Sequence, residues 1–336
     1  MLTTRYRQGN YSTATSTCCS YPLVIRYTGA MQDVEKQEVR PRTVGEALQH
    51  CSDALSNASL YYGHGTDNAW DEAVQLVLAV ADLPPDADAT TLAHPLDDAA
   101  LSRIDSLLRR RIAERIPLPY LIGRAWFAGL PFHCDLRALI PRSPIAELIL
   151  NGFRPWYSGT APERILDLCC GGGCIGLAAA VYCGGARVDL LDVDEDALDL
   201  AHRNVELHGL EGRVEILRSD LYEKLEERRY DLILCNPPYV NDADLAAMPA
   251  EYRAEPRFAL EAGCDGLAMA HRVLAGAGQH LTEHGLLVLE LGASWPALEE
   301  AYPGVPFTWV DFEHGGEGVC VLTAREWQDY SESWRR

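Results

Sequence analysis

The sequence predicts an α/β fold in which a parallel sheet, covered by helices on both faces, follows a small all-helical unit. Three observations predict it. From about residue 160 onward, short apolar segments alternate with amphipathic helical ones. The first of those apolar segments runs directly into a glycine-rich loop that opens a helix. Upstream, apolar residues recur at three- and four-residue steps, which is the helical period.

Taken in chain order, residues 1–44 are rich in Ser, Thr and Tyr and lack sustained periodicity, so they read as a poorly ordered extension, with Met31 a candidate alternative start. Val44, Ala47, Leu48, Cys51 and Leu55 mark a first helix. A second fits 69–81, with Ala73, Val74, Val77 and Leu78 as its buried stripe, and a third fits 97–115, stopped by Pro117 and Pro119. Together they form a helical domain over 45–116. A connector over 117–159 has strand-like pieces at 125–132 and 136–140 and is expected to hold a β-hairpin. In it Ser143 offers an N-cap, with Pro144 at the first helical position.

The remaining domain, 160–325, carries strand candidates at 164–168, 187–192, 213–217, 230–235, 285–291, 306–311 and 318–322. Helices fit 174–182, 195–208, 266–280 and 295–301. Repeated strand–helix units imply parallel pairing. The turn at Gly315-Gly316 is too short for a helical crossover, so the last two strands should pair antiparallel.

Composition narrows the function classes. The chain has 336 residues with formal net charge −20, a balance that repels nucleic-acid phosphates and attracts basic partners. No apolar run reaches the roughly 18 residues of a membrane span, and the N-terminus lacks the features of a secretory signal. The eleven cysteines include no C-x-x-C pair, so the expectation is reduced thiols in a cytoplasmic protein without a metal site. His280 and His284 read as surface residues at a helix end.

The glycine loop runs Leu168-Cys169-Cys170-Gly171-Gly172-Gly173-Cys174-Ile175-Gly176 after Asp167. Glycines let the backbone turn and approach a ligand, and the helix that follows presents free N–H groups. Asp192 closes the second strand about twenty residues on, where a carboxylate can accept from both ribose hydroxyls. Gly171, Gly173 and Gly176 also satisfy the dinucleotide pattern, so on the loop alone an NAD-dependent oxidoreductase competes. Asp220, just beyond the third strand, can accept from an adenine amino group, with Leu221 or Tyr222 covering the ring; the alternative is an N-cap.

The fourth strand breaks into Asn236-Pro237-Pro238-Tyr239. Two prolines stiffen the turn and remove N–H donors, leaving the Asn236 side-chain carbonyl, the Pro237 backbone carbonyl and the flat face of Tyr239. An amide NH₂ is a poor nucleophile because its lone pair is delocalised. Two convergent acceptors hold both N–H groups, turn the lone pair toward an electrophile and stabilise the charge that develops. An aromatic wall favours a sulfonium by cation–π attraction. An exocyclic amine of a flipped DNA adenine would suit the same motif, but the acidity of the chain and the absence of a basic recognition segment weigh against it.

The loop, Asp192 and Asn-Pro-Pro-Tyr together resemble the class I, seven-stranded methyltransferases that modify protein glutamines. Tyr62-Gly63-His64-Gly65-Thr66-Asp67-Asn68, Ile116-Pro117-Leu118-Pro119-Tyr120-Leu121 and Ile140-Pro141-Arg142-Ser143-Pro144-Ile145 resemble the branch acting on a large-subunit ribosomal protein. The release-factor branch, the alternative, usually carries Pro-Arg-Pro-Glu/Asp-Thr-Glu at the last place, from which Ser143-Pro144-Ile145 departs. The resemblance implies S-adenosyl-L-methionine as cofactor, framed by Asp167, Cys169, Gly171 and Gly173, with Asp192 on the ribose, Asp220 and Leu221 at the adenine, and Asn236 also bordering the cofactor. It implies a substrate glutamine held by Asn236 and Pro237 beside Pro238 and Tyr239, on a basic ribosomal protein met before assembly, without direct nucleic-acid or membrane binding. Glu255 to Leu260 would shape the site.

Overall fold

Strand segments that are apolar on both faces need a helical layer on each side, and the chain supplies both. The computed structural model describes residues 40–159 and 161–334. Residues 1–39, including Met31, lie outside the described residues; of the expected extension only Arg40 to Val44 fall inside them. Helices α1 (Val44–Asn57), α2 (Ala69–Val80) and α3 (Asp98–Ala113) are capped by Thr43, Asn68 and Asp97, each accepting a backbone N–H three residues on. On α2 the buried positions include Ala73, Leu76, Val77 and Leu78, and Val74 is only half-buried. The helix packs against both α1 and α3, which widens its apolar stripe to take in Leu76.

Short α4 (Leu118–Ile122) leads into the hairpin of β1 (Arg124–Phe127) and β2 (Leu130–His133). The two turn residues, Ala128 at φ 47° and Gly129 at φ 77°, both take the left-handed conformation a two-residue hairpin demands. Residues 136–140 form no strand, contrary to expectation. Asp135 takes the Arg137 N–H at 3.2 Å and the Tyr120 hydroxyl donates to the Ala138 carbonyl at 2.7 Å, so these backbone groups are unavailable to a ladder. Helix α5 (Ile145–Leu150) starts one residue later than expected, with Pro144 at the N-cap, although the Ser143 hydroxyl still accepts the Ile145 N–H at 3.1 Å.

The sheet is built from β3 (Arg164–Leu168), β4 (Arg187–Asp192), β5 (Val214–Arg218), β6 (Tyr230–Cys235), β7 (Leu281–Glu290), β8 (Thr308–Trp309) and β9 (Val319–Thr323). Its spatial order is β5-β4-β3-β6-β7-β9-β8, parallel from β5 to β7. Strand β9 runs antiparallel to both β7 and β8, as the short glycine turn requires. Strand β8 is only two residues long; it is an edge strand preceded by Pro306, which has no N–H to donate.

Ile165, Val188, Leu232 and Val288 face the layer of α5, α6 (Cys174–Tyr182) and α7 (Glu195–His208). Leu166, Leu191, Ile233 and Leu287 face the opposite layer. That layer holds α9 (Ala268–His280), α10 (Trp295–Ala301) and α11 (Ala324–Asp329), whereas α8 (Asp242–Ala247) has no buried residue. The sequence signal for α11 is its capping box, Thr323 with Glu326. His280 is not a surface residue: it is 6% exposed, stacks on Tyr222 and bonds the Arg228 carbonyl at 2.9 Å, because the last turn of α9 packs on the segment after β5. His284 is exposed.

From β3 the chain winds to β5 on one side, then crosses to β6 on the other. This reversal opens a crevice at the carboxyl ends of β3 and β6. Among the described residues no helix is long and apolar enough to cross a membrane.

Candidate active site

A cavity of about 310 Å³ occupies that crevice. Its walls come from the loops after β3, β4, β5 and β6, the connector 133–143, and residues 258–261. The size falls within the range of small-molecule sites, roughly 300–1,000 Å³.

Cys169 and Gly171 line the cavity, together with Gly172, Cys174 and Ile175. Asp167 and Gly173 do not reach its wall. Asp167 stands behind the loop, where one carboxylate oxygen accepts the Gly176 N–H at 2.7 Å and the other has no partner. Burial pushes its carboxyl up to about 7, against the lowering effect of the Gly176 bond. Gly173, at φ 81°, caps α6, and a Cβ there would press on Leu190 at 3.0 Å. Gly176 is tighter still, since a Cβ would meet Leu190 and stand 2.9 Å from Asp167. The loop therefore needs glycine for two different reasons, backbone conformation at Gly173 and close approach at Gly176.

Asp192 lies on the cavity and holds the loop in place. One oxygen accepts the Gly171 N–H at 2.9 Å and the other the Asp194 N–H at 3.0 Å. Burial raises its pKa, although those backbone bonds pull it down. A carboxylate has about four acceptor positions, so these backbone groups leave room for a ligand. Asp220 also lines the cavity but does not cap a helix; its Oδ2 pairs with Arg272 at 2.8 Å. Leu221 lines the same wall at φ 49°. Tyr222 turns away into the core and donates to the Val273 carbonyl at 2.9 Å, so it cannot cover a ring in the cavity.

Asn236, Pro237, Pro238 and Tyr239 all line the cavity opposite the glycine loop. The strand register pairs Leu168 with Cys235, so Cys169 and Asn236 leave adjacent parallel strands side by side. Among the described residues neither the Asn236 carboxamide nor the Pro237 carbonyl has a hydrogen-bond partner, which leaves both acceptors open to a ligand. Tyr239 is anchored at both ends. Its carbonyl accepts from Ser294 Oγ at 2.6 Å, and its hydroxyl donates to Glu290 at 3.3 Å.

Glu290 escaped sequence reasoning, and so did the pairings of Ser143, Arg142, Glu255 and His64, because these residues converge from distant segments. Glu290, at the end of β7, accepts from Ser143 Oγ at 2.5 Å. Arg142 pairs with Glu255 at 2.8 Å, and Glu255 meets His64 at 2.8 Å. Burial alone would raise the Glu255 pKa, but Arg142 and His64 outweigh it and hold the carboxylate ionised. Burial lowers the His64 pKa, so a neutral ring donating from Nε2 fits best. The expectation that 255–260 shapes the site agrees with this pair and with Phe258, Ala259 and Leu260 on the wall.

Residues 147–252 match the family described as the methyltransferase small domain. Over 295 residues the chain is 41% identical to the ribosomal protein uL3 glutamine methyltransferase of Francisella tularensis, covering 88% of this chain and 94% of that protein. It is 42% identical to the protein of the same description from Bordetella pertussis, covering 88% and 99%. For the one from Xylella fastidiosa the identity is 46%, covering 84% and 91%.

Proposed function

The chain belongs to the ribosomal protein uL3 glutamine methyltransferases, and from that membership we infer what each part of its cavity does. The enzyme transfers a methyl group from S-adenosyl-L-methionine to the side-chain amide nitrogen of a glutamine in uL3. When bound, S-adenosyl-L-methionine supplies an electrophilic methyl on a sulfonium sulfur.

The donor set suits that cofactor. Asp192 keeps acceptor capacity for a ribose hydroxyl, Asp220 keeps an oxygen free of Arg272 for an adenine amino group, and Leu221 gives an apolar wall. Cys169 and Gly171 border the methionine part, while Asp167 and Gly173 act from behind by shaping the loop.

The single observation that carries the reading is that Asn236 and Pro237 open unpaired acceptors onto the same cavity as Asp192 and the glycine loop. Those acceptors take the two N–H groups of the substrate amide and orient its lone pair. Holding the reactants together makes the displacement effectively intramolecular. Pro237 and Pro238 keep the turn rigid, and Tyr239 walls it.

The helical unit over 45–116 and the connector over 117–159 serve substrate recognition, and 160–325 serves catalysis. A buried ionic cluster joins the two units: Arg111 on α3 pairs with Glu72 on α2 and with Glu251, ahead of the wall segment 258–261. The net charge of −20 favours a free, basic uL3 in the cytoplasm over an assembled, RNA-covered subunit, and disfavours direct nucleic-acid binding.

The test incubates the enzyme and methyl-labelled S-adenosyl-L-methionine with free uL3, intact large subunits or a release factor. Mass spectrometry should place the label on one uL3 glutamine, faster on the free protein. Preferential labelling of the release factor would overturn the substrate assignment.

A further inference from the structure

An amide nitrogen that gains a methyl group must lose a proton. Neither the Asn236 carboxamide nor the Pro237 carbonyl can keep one at neutral pH. Most carboxyls on the cavity wall are already committed. Asp192 holds two backbone N–H groups, Asp220 pairs with Arg272, and Glu261 pairs with Arg257 at 2.8 Å on the outer rim.

Glu290 differs. It is 4% exposed, and its two hydrogen bonds come from neutral hydroxyls, those of Ser143 and Tyr239. The parallel register sets Cys235 opposite Leu289, so the next residues, Asn236 and Glu290, leave β6 and β7 together, about 4.8 Å apart in the direction of the ladder. Both line the cavity.

We propose, resting on the glutamine-methylation reading, that the Glu290 carboxylate takes the proton released from the substrate nitrogen. The bond from nitrogen to methyl forms as the methyl–sulfur bond breaks, with that electron pair staying on sulfur. The N–H bond breaks, its pair stays on nitrogen, and the proton goes to a Glu290 oxygen. Water takes the proton from Glu290 once the product has left. The hydroxyls of Ser143 and Tyr239 hold the carboxylate in place.

The electrostatic setting suits a base. The groups facing Glu290 are Arg142 and Ser143 from the connector, Tyr239 from the turn and Cys235 from β6, while Val319, its partner on β9, carries no titratable group. Burial pushes the carboxyl up to about 7, against the pull of Ser143, Tyr239 and Arg142, which places it near the working pH.

Three variants test the proposal: Glu290→Gln, Glu290→Asp and the double variant Ser143→Ala/Tyr239→Phe. The wild-type rate should rise with pH through about 7, as Glu290 ionises. Glu290→Gln should slow single-turnover transfer on the order of 10²-fold or more and abolish that limb, with KM for uL3 little changed. Glu290→Asp should be slower than wild type yet keep the limb. The double variant should keep it and move it to higher pH, because two bonds to the ionised form are lost.

A ¹³C-carboxyl NMR titration of ligand-free protein, assigned by loss of one signal in Glu290→Gln, should show Glu290 titrating over the same range. Wild-type pH dependence in Glu290→Gln, or a rate loss matched by lost uL3 affinity, would overturn the assignment. If Glu290→Gln fails to fold, loss of the limb in Glu290→Asp does so. Absence of uL3 labelling by the wild type would sink the glutamine-methylation reading instead.

Discussion

The Nε of Arg111 meets a Glu72 carboxylate oxygen at 2.5 Å, in an interior where both side chains are almost sealed from solvent. The same guanidinium reaches Glu251 at 3.4 Å and donates to the Tyr61 carbonyl at 2.8 Å, so one cation ties three segments together. Arg111→Met leaves the buried Glu72 carboxylate without a cation and should cost about 3–5 kcal/mol in urea unfolding. Removing that stranded charge as well, in Arg111→Met/Glu72→Leu, should recover much of the loss, since Glu251 keeps Arg115 at 3.1 Å. A double variant no more stable than the single one would contradict this.

Asn236→Ala removes one of two amide acceptors from a wall otherwise unchanged. Transfer should fall by on the order of 10²–10³-fold, while S-adenosyl-L-methionine binding by calorimetry stays close to wild type. Equal turnover in the variant would remove Asn236 from the chemistry.

Asp167 ties the glycine loop to stability. Its carboxyl ionises near 7 in the fold and near 3.8 when unfolded. The fold is therefore favoured while the group is protonated, and that advantage is lost as pH rises from about 4 through about 7. Asp167→Asn should be more stable than wild type above pH 7, by at most about 4 kcal/mol, with the gap closing toward pH 4. Ligand-free thermal melts across pH read this directly, and a pH-independent gap would count against it.

Gly176→Ala places a methyl group against Leu190 and Asp167, both in the packed interior. Overpacking of this kind costs about 1–3 kcal/mol, and the strain falls on the cofactor loop. Cofactor affinity should drop along with the melting temperature. An unchanged affinity would show that the loop tolerates the shift.

The acidic surface makes a kinetic prediction. If the −20 charge draws in a basic protein substrate, KM for uL3 should rise several-fold between roughly 0.05 and 0.3 M salt, with little change in kcat. A flat salt profile would assign recognition to contacts other than long-range charge.

Asn236-Pro237-Pro238-Tyr239 was legible because strand end, turn and acceptors are contiguous in sequence, and the Asp192 and glycine-loop pairing followed from one strand–helix–strand unit. The loop's internal division was not. Asp167 and Gly173 face away from the cavity, which only their packing against Gly176 and Leu190 reveals. Glu290 and Ser143 are 147 residues apart, and His64 and Glu255 are 191 apart. No local pattern encodes such meetings. Periodicity also failed where a neighbour took the backbone, as at 136–140, or where burial came from a distant loop, as at His280.

Strand β9 lies between β7 and β8, and its Val319 pairs with Glu290. Vectorial synthesis therefore completes the active site late. A nascent chain can wind β3, β4 and β5 early, yet the strand that carries Glu290 has an open edge until residues 319–323 emerge from the exit tunnel. Partial chains stalled before that point should hold every residue of the cavity wall while the strand that carries Glu290 stays unpaired on one side.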